Sequence, residues 1–466
     1  MTFLERIPLH IFSFTLHLPG THLEVEAHLL MMVNKATFCF IASWWATALA
    51  DMSLITLPQS TPGGKCLDGT QAGYYFEEGT QTSLYVIFLQ GGGYCNTEEK
   101  CKSRLGTALG TTKKWSSTKA QDGGDSAFLE RDCNINPDFC EANHIYVPYC
   151  TGDTHLGRRH EDLHESFGMY FDGRMNFEAI VNKLIDEHGM GNAANILLTG
   201  TSAGGIGAFH NVDWLAEQVP DANVKAISEA GWFYPRSVEG EDPSDYSPPS
   251  DYSHFAAGTQ GNVEIDRLDT VSNPMWKVIP DPACAMNEKE HPELCTMLDG
   301  IYRYIKSPVF AVQSQFDQYH IFVAFKAPKF PLENELDTVE DYITMYGEAS
   351  RKSLQQIVDG KSLYPKPHPD GVFSSSCISH GNPPDILVDN MDFITLAHDW
   401  FFQINQYESQ HQLVETCPGE ESTLPCNAEK RCRYTPAEGS KNKPLQPPAN
   451  SEGEKGSDPS SVEPPI

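Results

Sequence analysis

"NILLTGTSAGGIGAFHNVDWLAEQ", residues 195–218, decides how the chain is read. "NILL" is a short apolar run of the kind a buried strand uses. Gly200-Thr201-Ser202-Ala203-Gly204 follows and fits G-x-S-x-G. Beyond it, Phe209, Val212 and Leu215 recur at helical spacing, which predicts a helix over residues 203–218. A strand that turns straight into a helix passes through strained backbone. Glycines on both sides of the serine remove the Cβ clashes that would forbid the turn. Such a turn lifts the Ser202 Oγ above a sheet. It also leaves the Ala203 N–H at a helix N-terminus, where negative charge is stabilised. Ser202 is therefore a candidate nucleophile. The competing reading is a Gly-rich corner with a capping serine.

Similar apolar runs lie on either side of this stretch. "SLYVIFL" is apolar on both faces, as expected for a central strand of a covered sheet. "GYYFEEG", "HIYVPYC", "VKAISEAG" and "SPVFAVQ" read as further strands. Helical patterns cover residues 176–187, 337–358 and 393–406. Alternation of this kind predicts an α/β fold with a mostly parallel central sheet and helices on both faces.

Gln90-Gly91-Gly92-Gly93 follows the "SLYVIFL" strand. A Gly-rich loop after an early strand can bring backbone N–H groups close to a substrate oxygen, so Gly92 and Gly93 are candidate oxyanion donors beside Ala203. The rest of a triad should follow as acid, then histidine. Asp317 stands in the loop after "SPVFAVQ", and His380 lies further on in "SSSCISHG". Both fit by order and position; if Asp317 is only a turn-forming aspartate, Asp337 or Asp341 is the acid instead, since both also lie between Ser202 and His380. His320 follows Asp317 too closely to be an obvious base.

The chain has 466 residues, with 21 % charged and 40 % apolar, the balance of a globular protein. Its 63 acidic and 33 basic residues leave a formal charge of −30, which repels phosphate backbones and argues against a nucleic-acid partner. "MMVNKATFCFIASWWATALA", ending at Ala50, has the basic start, apolar middle and small-x-small end of a signal peptide, with translation starting at Met31 or Met32. Residues 1–50 are thus expected to be removed, leaving 51–432 as the folded domain. Residues 51–64 read as a short polar leader. No later stretch is long and apolar enough to span a bilayer. Thirteen cysteines minus Cys39, inside the signal, leave an even set of twelve, which predicts disulfides in an oxidising compartment. The spacings Cys95/Cys101, Cys133/Cys140 and Cys284/Cys295 lack a metal-site pattern. Residues 239–273 look like a lid or insertion, and 433–466 like a disordered Pro/Ser/Glu-rich tail.

"LQGGGYC", "VPYCTGDTHLG", "GTSAGGIGAFHNVDWLAEQ", "EAGWF", "QSQFDQ" and "SCISHG" together resemble the pectin acetylesterase/Notum carboxylesterases, over roughly residues 60–410 in consistent order. The resemblance implies an α/β-hydrolase-like, disulfide-stabilised fold and ester hydrolysis without metal or cofactor. It implies Ser202 as nucleophile, Asp317 as acid, His380 as base, and the N–H groups of Gly92, Gly93 and Ala203 as the oxyanion hole. "NVDWLAEQ" and "SCISH" look closer to Notum. Gly93 stands where Notum has a tryptophan and there resembles the plant "GGG". The expected activity is removal of an O-acyl group from a polysaccharide or protein by a secreted monomer. The alternatives are a Notum-like lipid deacylase and an inactive scaffold that only binds.

Overall fold

The computed structural model describes residues 51–121, 126–232, 275–289, 295–321, 336–381, 385–403, 411–417, 425–429 and 432. The expected signal region 1–50, the lid at 239–273 and the tail at 433–466 lie outside the described residues. The strands are β1 (Met52–Thr56), β2 (Gly73–Glu77), β3 (Gln81–Leu89), β4 (Thr118–Lys119), β5 (Ala142–Val147), β6 (Asn195–Thr201), β7 (Asn223–Glu229), β8 (Val309–Val312), β9 (Phe316–Asp317), β10 (Gly371–Ser374), β11 (Ile378–Ser379) and β12 (Gln412–Val414). The helices are α1 (Glu98–Arg104), α2 (Gly173–Glu187), α3 (Ala203–Gln218), α4 (Pro282–Asn287), α5 (Leu298–Ile301), α6 (Leu336–Val358) and α7 (Phe393–Phe402).

Ten strands form one sheet in the order β12-β10-β8-β7-β6-β3-β5-β2-β1-β4. Every pairing from β12 across to β5 is parallel, and the β5-β2, β2-β1 and β1-β4 pairings are antiparallel. The central strand β3 shows why the sheet is covered on both sides. Tyr85, Ile87 and Leu89 face one core, shared with Phe177, Ile180 and Leu184 of α2, with Phe209, Val212 and Leu215 of α3, and with Leu354 and Ile357 of α6. Leu84, Val86 and Phe88 face the other, shared with Phe393, Leu396 and Trp400 of α7. Each fully buried side chain of this size contributes about 1.5–3 kcal/mol, so burial on both faces anchors β3 at the centre of the sheet.

Two expectations change. Residues 51–64 are not all leader, because β1 pairs with β2 from Ser53↔Phe76 to Thr56↔Gly73 and also with β4. "MSLIT" has too few apolar residues to stand out alone; its ladder to β2 and the buried Met52 make it a strand. The helix expected over 393–406 ends at Phe402, where Gln403 turns left-handed at φ 56°.

The twelve cysteines form six disulfides: Cys66–Cys150, Cys95–Cys101, Cys133–Cys140, Cys284–Cys295, Cys377–Cys432 and Cys417–Cys426. The chain leaves β3 for β5 on one side, then crosses to β6 on the other. That reversal opens a crevice at the carboxyl ends of β3 and β6, the usual place for a ligand in such a sheet.

Candidate active site

Ser202 sits at this crevice, between β6 and α3. Its φ of 58° and ψ of −120° put a residue with a Cβ in sparsely populated backbone space, a strain of about 1–3 kcal/mol that the surroundings must hold. They hold it tightly. The Ser202 N–H donates to the Glu229 carbonyl at 2.7 Å, and the Ser202 carbonyl accepts from the Ile206 N–H at 3.1 Å, inside the first turn of α3. Gly204 lies so close to β3 that a Cβ there would stand 1.9 Å from the Leu89 carbonyl oxygen. Any side chain at 204 would push the elbow off the sheet. Ser202 itself is 6 % exposed, sheltered but reachable.

The Gln90–Gly93 loop leaves β3 beside this elbow, since Leu89 pairs with Gly200. A Cβ on Gly91 would come within 3.1 Å of the Ser202 Cβ, so the loop runs directly against the serine. Gly92 and Gly93 have φ of 143° and 62°, conformations that the absent Cβ permits. Among the described residues, the N–H groups of Gly92, Gly93 and Ala203 meet no acceptor. The Ala203 N–H belongs to the first turn of α3, where amides lack intrahelical partners.

Asp317 and His380 come together on a second, two-stranded sheet. β9 and β11 pair in parallel, with Phe316 opposite Ile378 and Ser379 opposite Asp317, so His380 follows one residue after the position paired with Asp317. The His380 Nδ1 lies 2.9 Å from Asp317 Oδ2 and 3.2 Å from Oδ1. Asp317 is fully buried. It also accepts from the Gln313 side-chain amide at 3.1 Å and from the His320 N–H at 3.0 Å. Burial alone would raise its pKa. The charge and hydrogen bond of His380, with help from His320, outweigh that and hold the carboxyl below the usual aspartate value. The same contact works in reverse on His380. Burial opposes its protonation, but Asp317 overcomes it and raises the imidazole above its ordinary value. Asp337 and Asp341 fall on α6, and it is Asp317 that contacts His380.

Tyr319 links this pair to the glycine loop. Its ring centroid is 5.3 Å from that of His380, and its hydroxyl would be 3.3 Å from a Cβ on Gly93. Contacts therefore run from Ser202 through the loop and Tyr319 to His380 and Asp317. Sequence reasoning missed Tyr319, Arg104 and Glu229. Arg104, the last residue of α1, donates through Nη2 to the Gly92 carbonyl at 2.7 Å. Glu229, behind the elbow, is buried; burial pushes its carboxyl up to about 7, against the hydrogen bond that Ser126 donates at 3.1 Å. No periodicity marks these positions, because their partners are more than ten residues away in sequence. Only the presence of Glu229 in "EAGWF" hinted at a role.

A family profile described as pectinacetylesterase matches residues 46–418. Pectin acetylesterase 11 of Arabidopsis thaliana is 26 % identical, covering 76 % of this chain and 90 % of that protein. Pectin acetylesterase 5 of the same plant is 29 % identical, covering 56 % of each chain. The palmitoleoyl-protein carboxylesterase NOTUM of Schmidtea mediterranea is 28 % identical over 69 % of this chain and 56 % of its own length. The solved structure of the Wnt deacylase Notum from Drosophila shares the fold at a TM-score of 0.60 and 22 % identity, over 79 % of this chain and 97 % of that one. With four-fifths of its length matched by the profile, the chain belongs to the pectinacetylesterase family, whose relatives named here are carboxylic-ester hydrolases.

Proposed function

We propose that the protein is a secreted serine carboxylic-ester hydrolase that removes an O-acyl group from a polysaccharide or a protein. The observation that carries the reading is the buried Asp317–His380 pair, joined by a single ring to the loop that touches Ser202. His380 takes the Ser202 proton as Oγ attacks the ester carbonyl. Asp317 holds the imidazole tautomer and stabilises its positive charge. Backbone N–H groups of Gly92, Gly93 and Ala203 hold the developing oxyanion, worth on the order of 100- to 1000-fold in rate per donor. His380 then protonates the leaving alcohol, and water, activated by the same imidazole, releases the acyl group. Six disulfides support the extracellular setting. The test is hydrolysis of p-nitrophenyl acetate, together with a fluorophosphonate adduct mapped to Ser202. A folded protein that neither hydrolyses nor labels would leave only the binding-scaffold reading.

The base must be neutral to act. Because Asp317 raises the His380 pKa, kcat/KM should fall as pH drops through a value above the free imidazole's roughly 6.5. A pH–rate profile in low-salt buffer checks this; a midpoint well below that value would contradict the pairing.

The names of the relatives supply two acyl groups, acetyl and palmitoleoyl. Tyr319 favours the shorter one here. Its hydroxyl stands over Gly93, within 3.3 Å of where a side chain would begin, and fills space beside the oxyanion loop. Among p-nitrophenyl esters of rising acyl length, acetyl should be preferred over octanoyl by roughly 10-fold or more, the order of discrimination that a methylene or two carries. Tyr319→Ala should narrow that ratio. An octanoyl preference in the wild type would instead support the lipid-deacylase reading.

A further inference from the structure

Arg104 stands out on electrostatic grounds. In a chain with a formal charge of −30, its guanidinium is not paired with any acid among the described residues. Its Nη1 is buried with no hydrogen-bond partner. Among the described residues, the guanidinium's one hydrogen bond is the donation from Nη2 to the Gly92 carbonyl, and its carbon centre lies 5.9 Å from the buried Tyr149 ring. A Cβ on Gly93 would be 3.4 Å from the same Nη2. The Cys95–Cys101 disulfide ties the end of the glycine loop to the helix that carries Arg104. A cation is thus brought to one backbone carbonyl and held there.

The carbonyl of Gly92 and the N–H of Gly93 belong to one peptide plane and point in opposite directions. Gripping the carbonyl turns the Gly93 N–H to the other side of the loop, and the cation polarises that peptide so that its N–H becomes a better donor. A loop of three glycines would otherwise rotate freely between substrate encounters. Resting on the proposed reading of Ser202, we infer that Arg104 is a positioning residue that sets the Gly93 N–H as an oxyanion donor. It contacts no substrate.

The test is Arg104→Met, which keeps the bulk and removes the donor and the charge. With p-nitrophenyl acetate, kcat should fall on the order of 100-fold while KM changes little, as for a lost oxyanion donor. A trifluoromethyl ketone, which forms a tetrahedral oxyanion on the serine, should lose affinity by the same factor. Its methyl ketone counterpart, which stays a ground-state ligand, should not. Arg104→Lys keeps the charge without the fork and should restore roughly tenfold of the loss. If Arg104→Met fails to fold, Arg104→Lys carries the test through the ratio of the two ketone affinities, expected to drop about tenfold. The inference is overturned if kcat is unchanged in a folded Arg104→Met, if both ketones weaken together, or if the Arg104→Lys ratio equals the wild-type ratio. A wild type inert to fluorophosphonate and ketone alike overturns the reading of Ser202 and this inference with it. A reactive wild type with an indifferent Arg104 overturns the inference alone.

Discussion

Ser202→Ala should lower kcat for p-nitrophenyl acetate by between about 10,000- and 1,000,000-fold, the range for removing a serine nucleophile from a triad. The residue after replacement still has a Cβ, so the backbone strain at φ 58° is unchanged and α3 keeps its first turn. The 2.7 Å bond from residue 202 to the Glu229 carbonyl is made by the main chain and survives the substitution. Thermal stability should therefore stay close to wild type, which separates loss of chemistry from loss of fold. Fluorophosphonate should no longer add to the protein by intact mass. Retained hydrolysis, or an adduct on another serine, would remove Ser202 from the role assigned to it.

Asp317→Asn should cost on the order of 10,000-fold in kcat at neutral pH, although the side chain barely changes in size. The surroundings explain why. Asp317 accepts from Gln313, from the His320 N–H and from His380. An asparagine has one oxygen and one NH2, so its NH2 must face a donor. Gln313 has no freedom to turn over and accept it, because its own carbonyl oxygen takes the Trp232 N–H at 2.9 Å. The conflict falls on His380, whose Nδ1 must then accept, so the ring proton moves to Nε2 and leaves no lone pair there to take the Ser202 proton. Loss of the carboxylate also lowers the imidazole pKa, so the ascending limb of the kcat/KM profile should move to lower pH. The expected cost in stability is about 1–3 kcal/mol from the mispaired buried donor. Activity within about tenfold of wild type would return the role of acid to Asp337 or Asp341.

Much of this fold was legible in the sequence. β3 and β6 carry apolar runs bounded by glycine, and α3 begins at Ala203 as its spacing predicts. Short-range chemistry reads well because strand, turn and helix signals are local. Asp317 and His380 are 63 residues apart, and only the pairing of β9 with β11 brings them together. Spacing left three acids open because two-residue strands leave no periodic trace. β1 was misread for a related reason: its stability comes from β2 rather than from its own composition. Arg104 and Tyr319 stayed hidden because their roles depend on what the chain places opposite them.

The Cys377–Cys432 disulfide has a practical consequence. It anchors the chain immediately before β11 to a residue 55 positions downstream, past the last strand of the sheet. Cys432 therefore braces the segment that carries His380. A shortened version cut after β12 would keep every strand and every residue of the proposed triad, yet lose the brace behind His380. Any trimmed form of this protein must therefore retain Cys432.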